Sequence, residues 1–174
     1  MHLSRILSVL VTGAFGAGKS QFIRTLSDVP VVSTERRITR PVDGGEKATT
    51  TVAMDYGRYT LGKDILHLKG TPGQERFDFM WEILGREADG CLFLIDCAAQ
   101  DGPASAASML RGLSFLDSLP LVVVANKQDL PNAVDITRIR RLLDLPRQTL
   151  IMPCVATRKS SVRQVVKQLV ELIP

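Results

Sequence analysis

No apolar stretch in this sequence approaches the roughly 20 residues that a membrane-spanning helix requires, so no bilayer span is expected. Cysteine is scarce: Cys91, Cys97 and Cys154 are odd in number, sit in or beside apolar strand-like runs and lack zinc-site spacing, which predicts reduced core thiols in a cytoplasmic protein. Aromatic residues make up only 5% of the chain and no segment is dense in Lys and Arg, so a nucleic-acid surface is not expected. His2, not glycine, follows Met1, and the chain closes on Glu171-Leu172-Ile173-Pro174 without a cysteine, so neither myristoylation nor prenylation is expected. Met1 to Arg5 run into the first strand without the layout of a leader peptide. Any membrane contact should be peripheral or borrowed from a partner. No internal repeat or low-complexity linker interrupts the chain.

What is present suits one domain spanning 1–174 with a sizeable core, since 174 residues with 45% hydrophobic and 23% charged side chains are ordinary globular composition. The net charge of +4 is uneven. Residues 131–174 hold eight basic side chains (Arg138, Arg140, Arg141, Arg147, Arg158, Lys159, Arg163, Lys167) against Asp135, Asp144 and Glu171. A solvated helix face accounts for such a bias; an acidic partner or anionic membrane surface is the functional alternative.

Residues 13 to 20 read Gly-Ala-Phe-Gly-Ala-Gly-Lys-Ser, a complete G-x-x-x-x-G-K-[ST] phosphate loop, directly after the apolar run Ile6 to Val11. A strand, a glycine-rich turn and a helix start gather backbone N–H groups where the helix dipole also favours an anion. The spacing predicts a nucleoside triphosphate site. Gly13, Gly16 and Gly18 permit the turn, Lys19 reaches the outer phosphates, and the Ser20 hydroxyl is left for Mg²⁺, with Ala14, Phe15, Ala17 and Gln21 completing the wall.

Periodicity predicts strands at about 5–12, 51–61, 64–69, 90–97, 120–125 and 149–155, and helices at about 18–27, 75–88, 103–117, 134–144 and 160–173. This alternation predicts an α/β fold: a six-stranded, mostly parallel sheet with one antiparallel edge strand and helices on both faces. Residues 28–50, with Arg36, Arg37, Arg40 and Asp43-Gly44-Gly45, read as a long functional loop.

Four further segments narrow the ligand. Asn126-Lys127-Gln128-Asp129 follows the apolar run Leu121 to Ala125. A carboxylate there accepts from N1–H and the exocyclic amine of guanine, a donor pair that adenine lacks; Asp129 is the expected base selector, Asn126 a brace and the Lys127 stem a cover for one ring face. Val155-Ala156-Thr157 ends the last strand, where the Ala156 N–H is expected to reach the base carbonyl. Thr71-Pro72-Gly73-Gln74-Glu75 opens a helix, with the Gly73 N–H expected at a γ-phosphate and Gln74 expected to orient the attacking water. Thr51 is the expected switch threonine, giving its hydroxyl to Mg²⁺ when the triphosphate is held, with Thr50 or Thr49 as alternatives.

In this order the motifs resemble the small Ras-like GTPases over nearly the whole chain. Gly13 to Ser20, Val31 to Arg37, Thr49 to Gly57 and Gly70 to Phe77 most resemble the bacterial MglA-like group, especially the GTPases of conservon operons in actinobacteria and relatives. The resemblance implies a Ras-like fold, GTP and Mg²⁺ as ligands, slow hydrolysis, switch segments at about 31–57 and 70–86, and a Roadblock-type regulatory partner beside an unknown effector.

Departures from the Ras pattern qualify it. Gly70 stands where an acidic Mg²⁺ residue usually stands, Pro72 replaces alanine, Phe15 occupies a loop position where Ras has glycine, Thr157 replaces a lysine, and no arginine immediately precedes Thr51. Asp55 is the expected substitute carboxylate near the metal. Phe77, Met80, Trp81 and Leu84 recur at helical spacing, and the expectation is that they form an effector or Roadblock interface. Two further readings stay open: a GTP-sensing interaction module with little hydrolysis, and an ATP-dependent small-metabolite kinase, which Asn126 to Asp129 disfavour.

Overall fold

Four strands with almost unbroken apolar sequence need cover on both faces, and a parallel sheet flanked by helices supplies it. The computed structural model describes residues 4–41, 47–72 and 78–174. Its strands are β1 (Ile6–Gly13), β2 (Val32–Pro41), β3 (Lys47–Leu61), β4 (Asp64–Gly70), β5 (Gly90–Asp96), β6 (Leu121–Asn126) and β7 (Leu150–Pro153). They form one sheet in the order β2-β3-β4-β1-β5-β6-β7. β1 runs parallel to β4 and β5, and β5, β6 and β7 continue in parallel. β2–β3 and β3–β4 are antiparallel.

The helices are α1 (Lys19–Leu26), α2 (Asp78–Arg86), α3 (Gly102–Arg111), α4 (Ile136–Leu142) and α5 (Lys159–Leu172), with a 3-10 turn at Ser114–Ser118. Successive strand residues face opposite sides, so the central strands β1, β5 and β6 feed two cores. Val9, Val11, Leu66, Leu68, Leu92, Leu94, Val122 and Val124 join Phe22 and Ile23 of α1 and Val162, Val166 and Leu169 of α5. Leu10, Phe93, Ile95, Val123 and Ala125 join Met80, Trp81 and Leu84 of α2, Ala106 of α3 and Ile139 of α4. Cys91, Cys97 and Cys154 are buried and unbridged, and burial pushes all three thiols up, as expected of core cysteines.

Two expectations need correction. The sheet has seven strands rather than six, because β2 occupies Val32–Pro41 within the segment read as a loop. Its sequence, VSTERRITRP, carries charge and no apolar alternation, as an edge strand does, and pairing with β3 supplies the order that its own side chains do not advertise. The α2 stripe is core: Met80, Trp81 and Leu84 are buried in the sheet-facing cluster, while Phe77 lies outside the described residues. The Trp81 indole N–H donates to the Pro72 carbonyl at 3.2 Å, tying α2 to the end of β4. Among the described residues, no helix is long and apolar enough to cross a membrane.

Candidate functional site

Parallel strands deliver their carboxyl ends to one side of a sheet, where open α/β folds place ligands. Here that side collects the segments after β1, β4, β5, β6 and β7. The phosphate loop leaves β1, Thr71 and Pro72 leave β4, Asp96 ends β5, Asn126 ends β6, and Val155 to Thr157 follow β7.

Gly18 caps α1 in the left-handed region, φ 97°, and a β-carbon there would stand 2.4 Å from the Asn126 side-chain nitrogen. Only glycine serves both the conformation and the contact. Lys19 is 8% exposed, and its ammonium donates to the carbonyls of Gly13 at 2.7 Å and Ala14 at 2.9 Å, so the loop folds back on its own cation. Burial pushes the Lys19 ammonium down to about 8, against the opposing pull of the Asp55 carboxylate. Between about pH 8 and 10.5 the folded, ligand-free chain has released a proton that the unfolded chain keeps, so its stability rises with pH across that window. A phosphate anion beside Lys19 restores the charged form. Nucleotide binding at about pH 9 is therefore expected to take up close to one proton through Lys19, and at about pH 7 almost none. Calorimetry in buffers of different ionisation enthalpy measures it, and equal uptake at both pH values would contradict it.

Ser20 and Asp55 meet directly, the hydroxyl donating to the carboxylate Oδ2. Asp55 stands opposite Gly70 in the β3–β4 register. These residues, with Phe15, Lys19, Thr71 and Pro72, line a concavity of about 370 Å³. The Thr71 and Thr12 hydroxyls, both buried, bond at 2.9 Å and fix the β4 exit to the end of β1. Phe15 is 80% exposed and stands between this concavity and a smaller one of about 150 Å³ against α3.

On the other flank Asn126 is the hub. Its Nδ2 donates to the Ala17 carbonyl at 2.9 Å and its Oδ1 accepts from the Ala156 N–H at 3.0 Å, so one buried amide joins the phosphate loop to the segment after β7. The Ala156 N–H, expected to face a base carbonyl, thus braces the wall here, and the Val155 N–H is held by Ser161 Oγ at 3.0 Å. Lys127 adopts φ 64° and its ammonium reaches Asp96 Oδ2 at 2.5 Å. Asp129 is exposed in the turn beyond it, and Thr157 is exposed in the turn before α5.

The structure therefore brings Gly13 to Ser20, Asp55, Asn126 and Ala156 together. Gly73 and Gln74 lie outside the described residues. Thr51 lies in β3 opposite Arg37, its backbone four residue steps, about 13 Å of extended chain, from that of Asp55. Thr12 and Asp96 escaped the sequence reading; the signal for Asp96 was its place at the carboxyl end of a buried parallel strand next to β6. Among the described residues no group of three or more His, Cys, Asp or Glu could hold a metal ion.

Residues 31–173 match a family model described as conserved hypothetical ATP binding protein. ADP-ribosylation factor-related protein 1 of Bos taurus is 25% identical over 176 residues, covering 95% of this chain and 84% of that protein. ADP-ribosylation factor-like protein 10 of Mus musculus is 30% identical over 138 residues, 79% of this chain and 51% of that one. The solved structure of the Arl6 BBS3 small GTPase from Trypanosoma brucei, with bound nucleotide analogue GppNp, superposes with a TM-score of 0.74 at 16% identity, covering 95% of this chain and 96% of that chain.

Proposed function

We propose that this chain, which belongs to the family described as conserved hypothetical ATP binding protein and is a Ras-like small GTPase of the Arf and Arl type, works as a GTP-operated switch that slowly hydrolyses GTP to GDP and phosphate. The observation that carries this reading is the Asn126 bridge. It ties the lysine-bearing phosphate loop to the segment after β7 at the start of the Asn-Lys-x-Asp turn, which supports a base site next to the phosphate loop. The family description names ATP, but Asp129 supplies an acceptor for two guanine donors, and adenine offers no such pair.

Within that reading, Lys19 exchanges its loop carbonyls for phosphate oxygens, and Thr71-Pro72 lead into Gly73 and Gln74, the γ-phosphate donor and the water-orienting side chain. The oxygen donors of Ser20 and Asp55 fit Mg²⁺, which would neutralise phosphate charge there, Ser20 as ligand and Asp55 as carboxylate beside it. Thr51 would complete the set once β3 delivers it to the triphosphate. The stretches Val31 to Arg37, Thr49 to Gly57 and Gly70 to Phe77 support an MglA-like subgroup with a Roadblock-type partner, in the cytoplasm and with any membrane contact peripheral.

A second reading keeps the switch and removes most hydrolysis. The exposed Phe15 ring on the phosphate loop favours it, since it stands where an incoming arginine would approach. Single-turnover phosphate release separates the two: slow release that a Roadblock-type protein accelerates is expected, with an arginine contribution worth about 10³ to 10⁵. Bound GTP that persists in both conditions would leave the sensing module.

A further inference from the structure

The reading of Lys127 as the cover of a base leaves open what holds that side chain still, and the structure assigns the task to Asp96: we propose that Asp96 is the positioning residue of the base pocket, anchoring the Lys127 ammonium so that its stem keeps a bound guanine nucleotide in place. This rests on the guanine reading above.

β5 and β6 are paired in register to their ends, Asp96 opposite Asn126, which puts Lys127 one residue past its neighbour's last carboxylate. Lys127 takes a left-handed conformation that side chains adopt only under constraint. A lysine tip in solvent has no single direction, since its four-carbon stem is flexible. Here the tip ends 2.5 Å from Asp96 Oδ2. The carboxylate is itself fixed, because Oδ1 accepts from the Ala98 and Ala99 N–H groups, each at 3.0 Å. Burial opposes the charge on Asp96, but the Lys127 bond and those two N–H groups outweigh it and hold the carboxyl below its usual range. Its side chain is 15% exposed and that of Lys127 33%, so the pair is largely shielded but still partly open to solvent. Gln128, the next residue, points elsewhere, donating to the Val134 carbonyl at 3.0 Å, so Lys127 is the turn residue that Asp96 controls.

The test is dissociation of a fluorescent GDP from the full chain in Asp96→Asn, Lys127→Met and the double variant. Asp96→Asn keeps an oxygen for the two N–H groups, and Lys127→Met keeps an apolar stem while losing the ammonium. Each single change is expected to speed GDP release about tenfold, as loss of a hydrogen bond to a charged group does. The double variant should be no faster than either, and Asp96→Glu should restore part of the retention. Unchanged release in Asp96→Asn, or effects that multiply in the double variant, would overturn the inference, the latter showing that Asp96 merely supports the local fold. A wild-type chain that retains no guanine nucleotide at all would instead sink the guanine reading and this inference with it.

Discussion

Asn126→Ala is expected to cost about 2–4 kcal/mol of stability, because truncation leaves two buried backbone groups without partners. The Ala17 carbonyl loses its 2.9 Å donor and the Ala156 N–H its 3.0 Å acceptor, in a place that solvent does not reach. Gly18 packs against the same amide, so the vacated volume adjoins the phosphate loop itself. The loop and the segment after β7 would then lose their common reference, and nucleotide retention is expected to fall about 100-fold, the scale set by positioning errors near a site. Asn126→Asp, which keeps the acceptor for Ala156 and loses the donor to Ala17, should fall between. Urea unfolding and GDP dissociation measure both effects; an Asn126→Ala chain that matches wild type in each would show that the bridge is incidental.

Restoring the acid that Ras-like chains usually carry before Thr71 should harm this protein. A β-carbon on Gly70 would lie 2.8 Å from Ile23 Cδ1 and 3.3 Å from Asp55 Cβ, and Ile23 is fully buried, so its side-chain tip must turn within the core to make room. Gly70→Asp also sets a second carboxylate directly across the β3–β4 pair from Asp55. Overpacking and like charge together are expected to cost about 2–3 kcal/mol. Asp55→Ala, in contrast, should leave the fold largely intact and weaken Mg²⁺-dependent GTP binding about 10- to 100-fold, the usual loss when a partner beside the metal is removed, while Mg²⁺-free GDP binding is nearly unchanged. If Gly70→Asp were as stable as wild type and bound Mg²⁺ more tightly, Asp55 would not be the substitute.

These two sites also show what a sequence can disclose. The phosphate loop, the apolar strands β1, β5 and β6 and the Asn126 to Asp129 turn were legible because their chemistry is local: glycines where a turn needs them, unbroken apolar runs where both faces are covered. β2 was not, since an edge strand of charged residues is defined by its pairing with β3 rather than by its own pattern. The α2 stripe was recognised as apolar, but periodicity cannot tell a face that meets a sheet from one that meets a partner; the sheet took Met80, Trp81 and Leu84. The Asp55–Ser20 contact depends on β3 pairing with β4, and the Asp96–Lys127 pair on β5 and β6 ending in register, pairings that no local pattern discloses.

The central claim is that this pocket selects guanine, and competition of GDP and ATP for one fluorescent nucleotide, in wild type and Asp129→Asn, tests it most directly. GDP is expected to displace the probe while ATP does not, and Asp129→Asn should weaken GDP by about 1.5–3 kcal/mol, roughly 10- to 150-fold, as an amide replaces the charged acceptor of two donors. ATP displacing the probe as well as GDP does, with Asp129→Asn indistinguishable from wild type, would contradict the account and return the chain to the adenine chemistry that its family description names.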